Sequence, residues 1–443
     1  MRKLKKMKKI SLSKFVTGGF MLFCMCLLFS GSNVYAKRAN PAKSKTGLKK
    51  IEGHKLKEKF VEKSNKGDLI GGEKTIKKRT YAASYNWGKY SARYYYNQLT
   101  SDEKDLYNKL YNRCTELINN SSINCNDTIQ GDHVIGQIVY NKNIKPQDLD
   151  EVFNVFEAEN PQFFFLDVKY WYGTTSNYEP FFTLTIYPRY VSGSNRVAVA
   201  NQLKNKVENW IKTVNQKKTT MQKMRSLENI LDKNTIYQEG EIDQSVVSAV
   251  LEGKTVCAGY SKTYAMICNA LGYESVCVTG SGHEWTRVRI GSKWYNVDAT
   301  WDDNDSANIM GVDYFLVSDA KTKVDNSNHE LYAVWKGRVK APTSNENYLD
   351  PIFNITYYRN NNRDLQRELG YYDGSYLDHF METGMEEGRR ASSNFDVYFY
   401  MNSYSDIRTK FGNDLPLYYQ HYVEVGVNEN RQGADNYYNR YAS

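Results

Sequence analysis

Apolar positions recur at helical spacing in three long stretches of the chain. Leu106, Tyr107, Leu110, Tyr111, Cys114, Leu117 and Ile118 fall on one stripe, with Ser101 placed to cap the helix and Asp102 and Glu103 suited to its positive end. Val199, Leu203, Val207, Trp210, Ile211 and Val214 mark a second helix, and Met221, Met224, Leu227, Ile230 and Leu231 a third. These aromatic and methionine stripes read as core rather than as a cofactor box. Between the first two, Phe163 to Tyr172 and Phe181 to Tyr187 are strand-like runs around a Gly/Thr/Ser/Asn turn. Further on, Tyr264, Ala265, Ile267, Cys268 and Leu271 space a helix that stops at Gly272, and Ser275 to Gly280 reads as a strand. The alternating run Thr286 to Ile290, the tight Gly291-Ser292 turn and Trp294 to Asp298 then predict a β-hairpin. Pairing Ile290 with Lys293 across two residues sets Asp298 opposite Trp285, on the sheet face of His283 and one diagonal step from it. A three-residue turn would put those side chains on opposite faces. Helices mixed with antiparallel strands define an α+β class.

The far end repeats itself. A shift of 42 residues superimposes Phe353 on Phe395, Tyr358 on Tyr400, Asn360 on Asn402, Asp364 on Asp406 and Gly370 on Gly412. It also superimposes Tyr376 on Tyr418, His379 on His421, Glu382 on Glu424, Gly384 on Gly426 and Arg389 on Arg431. Each unit reads as a short helical pair, with Gly370/Gly412 and Gly384/Gly426 at helix C-termini. So little surface is buried within a unit that the two are expected to stack on each other or on the preceding domain. His379 and His421 lack neighbouring Cys or His ligands and read as packed or hydrogen-bonded residues. These repeats resemble short tandem units at the ends of secreted Gram-positive surface proteins, which implies adhesion or wall association.

Charge is unevenly distributed along the 443 residues. The whole chain carries 59 Lys and Arg against 50 Asp and Glu, yet residues 80–443 carry 37 basic against 45 acidic groups. The folded part is therefore mildly acidic, which disfavours nucleic acid as a partner. The excess positive charge lies in two segments. Residues 1–36 join Lys3, Lys5, Lys6, Lys8 and Lys9 to an apolar run from Phe20 to Phe29 and a Val34-Tyr35-Ala36 cleavage pattern, as in a signal peptide. Cys24 and Cys26 would leave with it. Residues 37–80 read as a basic flexible linker, able to meet an anionic wall polymer. No later segment has the apolar length of a spanning helix, so no transmembrane segment is expected in the mature chain.

Five cysteines then remain, Cys114, Cys125, Cys257, Cys268 and Cys277, and an odd count leaves a thiol unpaired. Cys114 could pair with Cys125, and Cys268 and Cys277 read as core or disulfide residues. Cys257 is predicted at a helix N-terminus, where exposed N–H groups and the helix dipole favour thiolate and could hold an oxyanion. His283 supplies an acid/base partner, and Asp298 a carboxylate to orient it. Taken singly, a secreted Cys is usually half of a disulfide, a His a packed residue, and an Asp before Ala-Thr a turn cap. Asp302, Asp303 and Asp305 lack the Gly and distal Glu of a calcium loop and read as a solvated turn. His133 and His329 have no partner pattern and read as structural.

Three pieces in order resemble the transglutaminase-like superfamily. They are Val256 to Tyr260, Gly282 to Trp285, and Lys293 to Asp303, with Asp313 to Ser318 similar to the strand that follows in bacterial members. The resemblance implies a papain-like core in which a helix bearing Cys257 packs on an antiparallel sheet bearing His283 and Asp298. It also implies thiol acyl transfer on peptide or protein amides, with water or an amine resolving a thioester and with no metal or organic cofactor. Gly259, Tyr260, Trp285 and Trp301 are the accompanying candidates for substrate binding. The expected organisation is a signal peptide (1–36), linker (37–80), an α+β region (81–215), the catalytic core (216–340) and the two helical repeats (349–434). A secreted or cell-surface cysteine enzyme of a Gram-positive-like bacterium follows, acting on substrates at the cell envelope as peptidase or cross-linking transferase. The alternative is a catalytically silent adhesion module using the same scaffold.

Overall fold

The computed structural model describes residues 85–303, 310–325 and 329–435, all within one unit spanning residues 56–443. The signal peptide, the basic linker and Asp305 lie outside the described residues.

Helix α1, Ser101–Asn119, buries Leu106, Tyr107, Leu110, Cys114, Leu117 and Ile118, but its cap is Thr100 rather than Ser101. The Thr100 hydroxyl accepts from Glu103 N–H at 3.4 Å, and the Glu103 carboxylate accepts from Thr100 N–H at 2.8 Å. That reciprocal box needs Ser or Thr three residues before Glu, a spacing Thr100 meets and Ser101 does not. Helix α2, Leu149–Glu159, has no sequence forecast above. Asn154 and Glu159 are buried alongside Val152, Phe153, Val155 and Phe156, so polar residues fall among the apolar ones on its buried side and blur the helical stripe. Strands β1 (Ile138–Val139), β2 (Leu166–Thr174) and β3 (Pro180–Ile186) form an antiparallel sheet in the order β1-β3-β2. Helices α3 (Gly193–Asn215) and α4 (Thr220–Asn234) follow, capped by Ser192 and Thr219.

The second half is built around one buried helix and one sheet. Short strands β4 (Ile236–Tyr237) and β5 (Lys254–Thr255) pair in parallel and lead into α5, Cys257–Ala270. Behind it stand β6 (Ser275–Gly280), β7 (His283–Ile290), β8 (Lys293–Val297) and β9 (Phe315–Val317), antiparallel in the order β9-β8-β7-β6. Every α5 residue from Cys257 to Cys268 is buried. Gly259 permits this: a Cβ there would stand 1.8 Å from Thr255 Oγ1.

The two segments read above as repeats contain three short helices each rather than a pair. They are α8 (Ile355–Asn361), α9 (Arg363–Leu369) and α10 (Asp373–His379), then α11 (Val397–Ser403), α12 (Ser405–Phe411) and α13 (Leu415–His421). A π-helical turn closes each, Phe380–Gly384 and Tyr422–Gly426. Gly370 and Gly412 do end helices, at φ 67° and 57°. Gly384 and Gly426 serve a different need, since a Cβ would come within 2.4 Å of the Tyr358 hydroxyl and 2.3 Å of the Tyr400 hydroxyl. Those hydroxyls meet His379 Nδ1 at 2.9 Å and His421 Nδ1 at 3.0 Å. Seven-residue helices are too short to persist alone. They lean on α4, where Arg225 Nε donates to Asp378 at 2.7 Å and Gln222 Nε2 to the Met381 carbonyl at 2.6 Å. Thr220 N–H likewise donates to Gln420 at 3.0 Å.

Gly384→Ala is therefore expected to lower the unfolding free energy by about 1–3 kcal/mol in chemical denaturation, through overpacking against Tyr358. Gly240→Ala, which meets open space, should stay within about 0.5 kcal/mol of wild type.

Candidate active site

Cys257 is the first residue of α5, 6% exposed, and the preceding Val256 offers no side-chain cap. A serine or aspartate there would occupy the first-turn N–H groups. Two hydroxyls fasten this turn to the sheet. Ser261 Oγ reaches both Cys257 O at 2.8 Å and Glu284 O at 2.7 Å, and Thr286 Oγ1 donates to Ser261 O at 3.0 Å. Glu284 directly follows His283, so these bonds set the height of the thiol against the imidazole. From the far side, Lys262 Nζ pairs with Glu157 on α2 at 2.7 Å.

The hairpin has the two-residue turn. Lys293 pairs with Ile290 and Val297 with Thr286, which brings Asp298 beside His283. His283 Nε2 lies 2.5 Å from Asp298 Oδ2, and His283 is also hydrogen-bonded to Cys257. With Nε2 committed to the carboxylate, Nδ1 is the nitrogen left for sulfur. The other carboxylate oxygen caps helix α6 (Ala299–Asp302), accepting from Thr300 N–H and Trp301 N–H at 3.1 Å each. Asp298 thus caps the turn with one oxygen and hydrogen-bonds the imidazole with the other.

Burial would drive His283 toward its neutral form, but the charge and hydrogen bond of Asp298, with Cys257 contributing, raise it from 6.5 to about 10. Burial likewise pushes Asp298 upward, and the two imidazoles beside it more than offset this, holding the carboxyl well below its ordinary range. The second imidazole is His329, whose Nε2 lies 2.8 Å from the same Oδ2. Read above as structural, His329 stands in the site. It lies 31 residues beyond Asp298 with no motif around it, so no sequence signal marks it.

Sheet alternation fails in an instructive place. Arg287, a charged position within the alternating run Thr286 to Ile290, is 2% exposed. Its Nε donates to Asn296 Oδ1 at 2.8 Å and its Nη2 to Asp319 at 2.7 Å. Trp285 Nε1 donates to the same Asn296 oxygen at 2.9 Å. This network, buried under the site, braces β7 against β8.

The candidate substrate residues separate. Gly259 is packed beneath Thr255, Tyr260 is fully buried with its hydroxyl on Asp303 and Thr235 O, and Trp285 is 1% exposed. All three serve packing and do not face an approaching substrate. Trp301 is the exposed one of the four, at 41%, with its ring edge-on to His283 at 6.0 Å. Tyr237 on β4 also stands near the thiol. Burial, then the charges of Cys257 and its acidic neighbours, push its phenol above the ordinary range.

Asp302 is buried rather than solvated, accepting the Asp313 and Tyr314 N–H groups at 3.1 Å. Burial raises its carboxyl to about 7. The donor atoms of His283, Asp298 and His329 cluster within 4.8 Å. Their contacts of 2.5 and 2.8 Å are hydrogen-bond distances, tighter than the ~3.3 Å between ligands on a tetrahedral ion with ~2 Å bonds. The cluster is a hydrogen-bonded relay. All five described cysteines are free thiols, so the Cys114–Cys125 pairing is not formed. His133 is structural, with Nδ1 on Cys125 O at 3.1 Å.

Residues 208–299 match the family described as the transglutaminase-like superfamily, and Cys257, His283 and Asp298 all fall inside the match. Among solved structures, the chain is similar to a putative cysteine protease from Cytophaga hutchinsonii, at 14% identity over 30% of this chain and 61% of that one, with a TM-score of 0.21. It is also similar to a TGase, at 15% identity over 39% of this chain and 52% of that one, with a TM-score of 0.21. The chain thus spans between half and two thirds of the length of these structures. No curated protein matches it.

The His283–Asp298 pair has a definite pH signature. Because the folded value for His283 is raised from 6.5 to about 10, its stabilisation is complete below about 6.5 and is lost as pH rises through about 10. Asp298, depressed, acts oppositely: its share is present above the ordinary carboxylate range and is lost in strong acid. The unfolding free energy of wild type minus that of His283→Gln should therefore fall steadily from neutral pH toward pH ~10 in urea titrations. A flat difference would contradict the ion pair.

Proposed function

We propose that the protein is a thiol acyl-transfer enzyme acting on peptide or protein amide bonds. The observation that carries the proposal is the Cys257–His283–Asp298 chain of hydrogen bonds at the start of α5, within the segment that matches the superfamily. His283 takes the Cys257 proton, and the thiolate attacks the amide carbon. The N–H groups left open by Val256 hold the resulting oxyanion. His283 returns its proton to the departing amine, and a thioester remains on Cys257. Water or an acceptor amine then attacks, its proton passing to His283, and the sulfur leaves. Asp298 keeps the proton on Nε2 of the neutral ring, so that Nδ1 is the basic nitrogen throughout. Trp301 forms a wall of the approach, and the choice between hydrolysis and cross-linking depends on whether an amine outcompetes water there.

The setting belongs to the same proposal: secretion through the leader, a basic linker drawn to anionic wall polymer, and envelope contact through the repeats. Tyr371, Tyr372 and Tyr398, 94%, 55% and 47% exposed, give the repeats an aromatic surface suited to that contact.

Iodoacetamide should modify Cys257 first, because Cys114, Cys268 and Cys277 are more deeply buried and burial pushes their thiols upward. His283→Ala should cut turnover by roughly 10²–10⁴ and Cys257→Ala should abolish it. Incubation of envelope peptides with a labelled amine in ¹⁸O water, read by mass spectrometry, assigns the acceptor. Preferential labelling at any other cysteine would remove the enzyme reading.

Tyr371→Ser with Tyr372→Ser should lower retention on isolated cell envelopes and leave the Cys257 alkylation rate unchanged. Equal retention would remove the adhesion proposal.

A further inference from the structure

Asp298 is an acceptor with four donors. Oδ1 takes the two cap N–H groups, at 3.1 Å each, and Oδ2 takes Nε2 of His283 at 2.5 Å and Nε2 of His329 at 2.8 Å. An ionised carboxylate can only accept, so both imidazoles carry their proton on Nε2. For His283 this exposes the basic Nδ1 to the thiol. For His329 it leaves Nδ1 buried with no partner, although the residue is 1% exposed. An orphaned buried nitrogen costs stability. The ring is nevertheless held there, stacked on Tyr314 at 5.3 Å and edge-on to Trp285 at 4.8 Å. Its one hydrogen bond goes to the oxygen that also serves His283.

We propose that His329 is a positioning residue that shares Asp298 Oδ2 and so sets how tightly the carboxylate holds the proton of His283. The inference rests on the reading of Cys257 and His283 as nucleophile and base. A carboxylate oxygen that receives two donors binds each less strongly than it would bind one. His283 must keep its proton while paired with thiolate yet give it to the departing amine. A moderated Asp298 suits that exchange. The backbone cap keeps the carboxylate in place whether or not His329 is present, so removing the His329 donor strengthens the remaining bond instead of loosening the site. The titratable groups facing this centre are Cys257 on α5, Asp302 at the end of α6, Tyr237 on β4 and Tyr314, whose ring stacks on that of His329 and is kept as a stacking partner by a phenylalanine there. Substitution of His329 therefore acts through Asp298.

The test needs no knowledge of the substrate. Iodoacetate, an anion, should alkylate Cys257 in preference to iodoacetamide while His283 is an imidazolium, and the ratio of the two rates should drop as that proton is lost. In wild type the drop is expected near pH ~10. His329→Phe, which keeps a ring and removes the donor, should move it upward by about one pH unit. His329→Gln, whose amide can donate from the place of Nε2, should restore the wild-type position. A drop that stays in place in His329→Phe, moves down, or moves equally in both variants overturns the inference while leaving the thiol–imidazole reading intact. A wild type without any iodoacetate preference overturns both. Should His329→Phe not fold, ¹⁵N spectra of the wild-type imidazoles decide: His329 protonated at Nε2 supports the proposal, and a bare Nε2 overturns it.

Discussion

The structure depends on one carboxylate used from both sides. Asp298 joins strand β8 to helix α6 as the helix N-cap, and its two oxygens answer to different partners. The cap side costs the protein nothing unusual, since Asp is a favoured N-cap. Its consequence is that the other oxygen is aimed by the backbone itself. An orienting acid on a flexible loop would lose rotamer freedom each time it met the imidazole, whereas here that entropy is already spent in folding. Burial of the group is then tolerable because all four donors are present, and an unpaired carboxylate at 1% exposure would not be.

The same logic governs the side facing the thiol. Helix α5 is buried all round and its position along the sheet could slide if only apolar contacts held it. Ser261 and Thr286 prevent this by bonding to backbone carbonyls on the opposite element. Directional bonds fix register where hydrophobic contact does not. Beneath the sheet, the Trp285–Asn296–Arg287–Asp319 network does the equivalent for the hairpin. Cys257 and His283 therefore ride on elements locked by polar contacts in an otherwise apolar interior.

Much of this was legible in the chain. The hairpin register followed from a two-residue turn and strict period-2 geometry, both local rules, so the neighbourhood of His283 and Asp298 could be derived before any coordinates. The apolar stripes of α1, α3 and α4 and the strand Ser275–Gly280 followed for the same reason. What escaped were features with no local signature. Helix α2 mixes buried Asn154 and Glu159 with its apolar residues. Arg287 breaks alternation because its partners are Asn296 on β8 and Asp319 at the start of helix α7, Asp319–Asp325. His329 approaches from a distant loop, and Tyr260 and Trp285 look like binding aromatics until their hydroxyl and indole N–H are seen to be committed to buried acceptors.

Arg225 extends the argument from the site to the repeats. Its side chain is 1% exposed and bonds at once to Glu228, Asp378 and the carbonyls of Met310 and Gly311. Gly311 in turn lies against Asp302, whose carboxylate holds the Asp313 and Tyr314 N–H groups, and Tyr314 stacks on His329. A buried guanidinium is stable only with its partners in place. Asp378 belongs to the first repeat, so the repeats supply part of the charge that keeps Arg225 buried, and Arg225 helps hold the loop on which Tyr314 sits. The far end of the chain is thus a structural participant in the wall of the site, and its exposed tyrosines face outward from a body that helix α4 itself helps to hold.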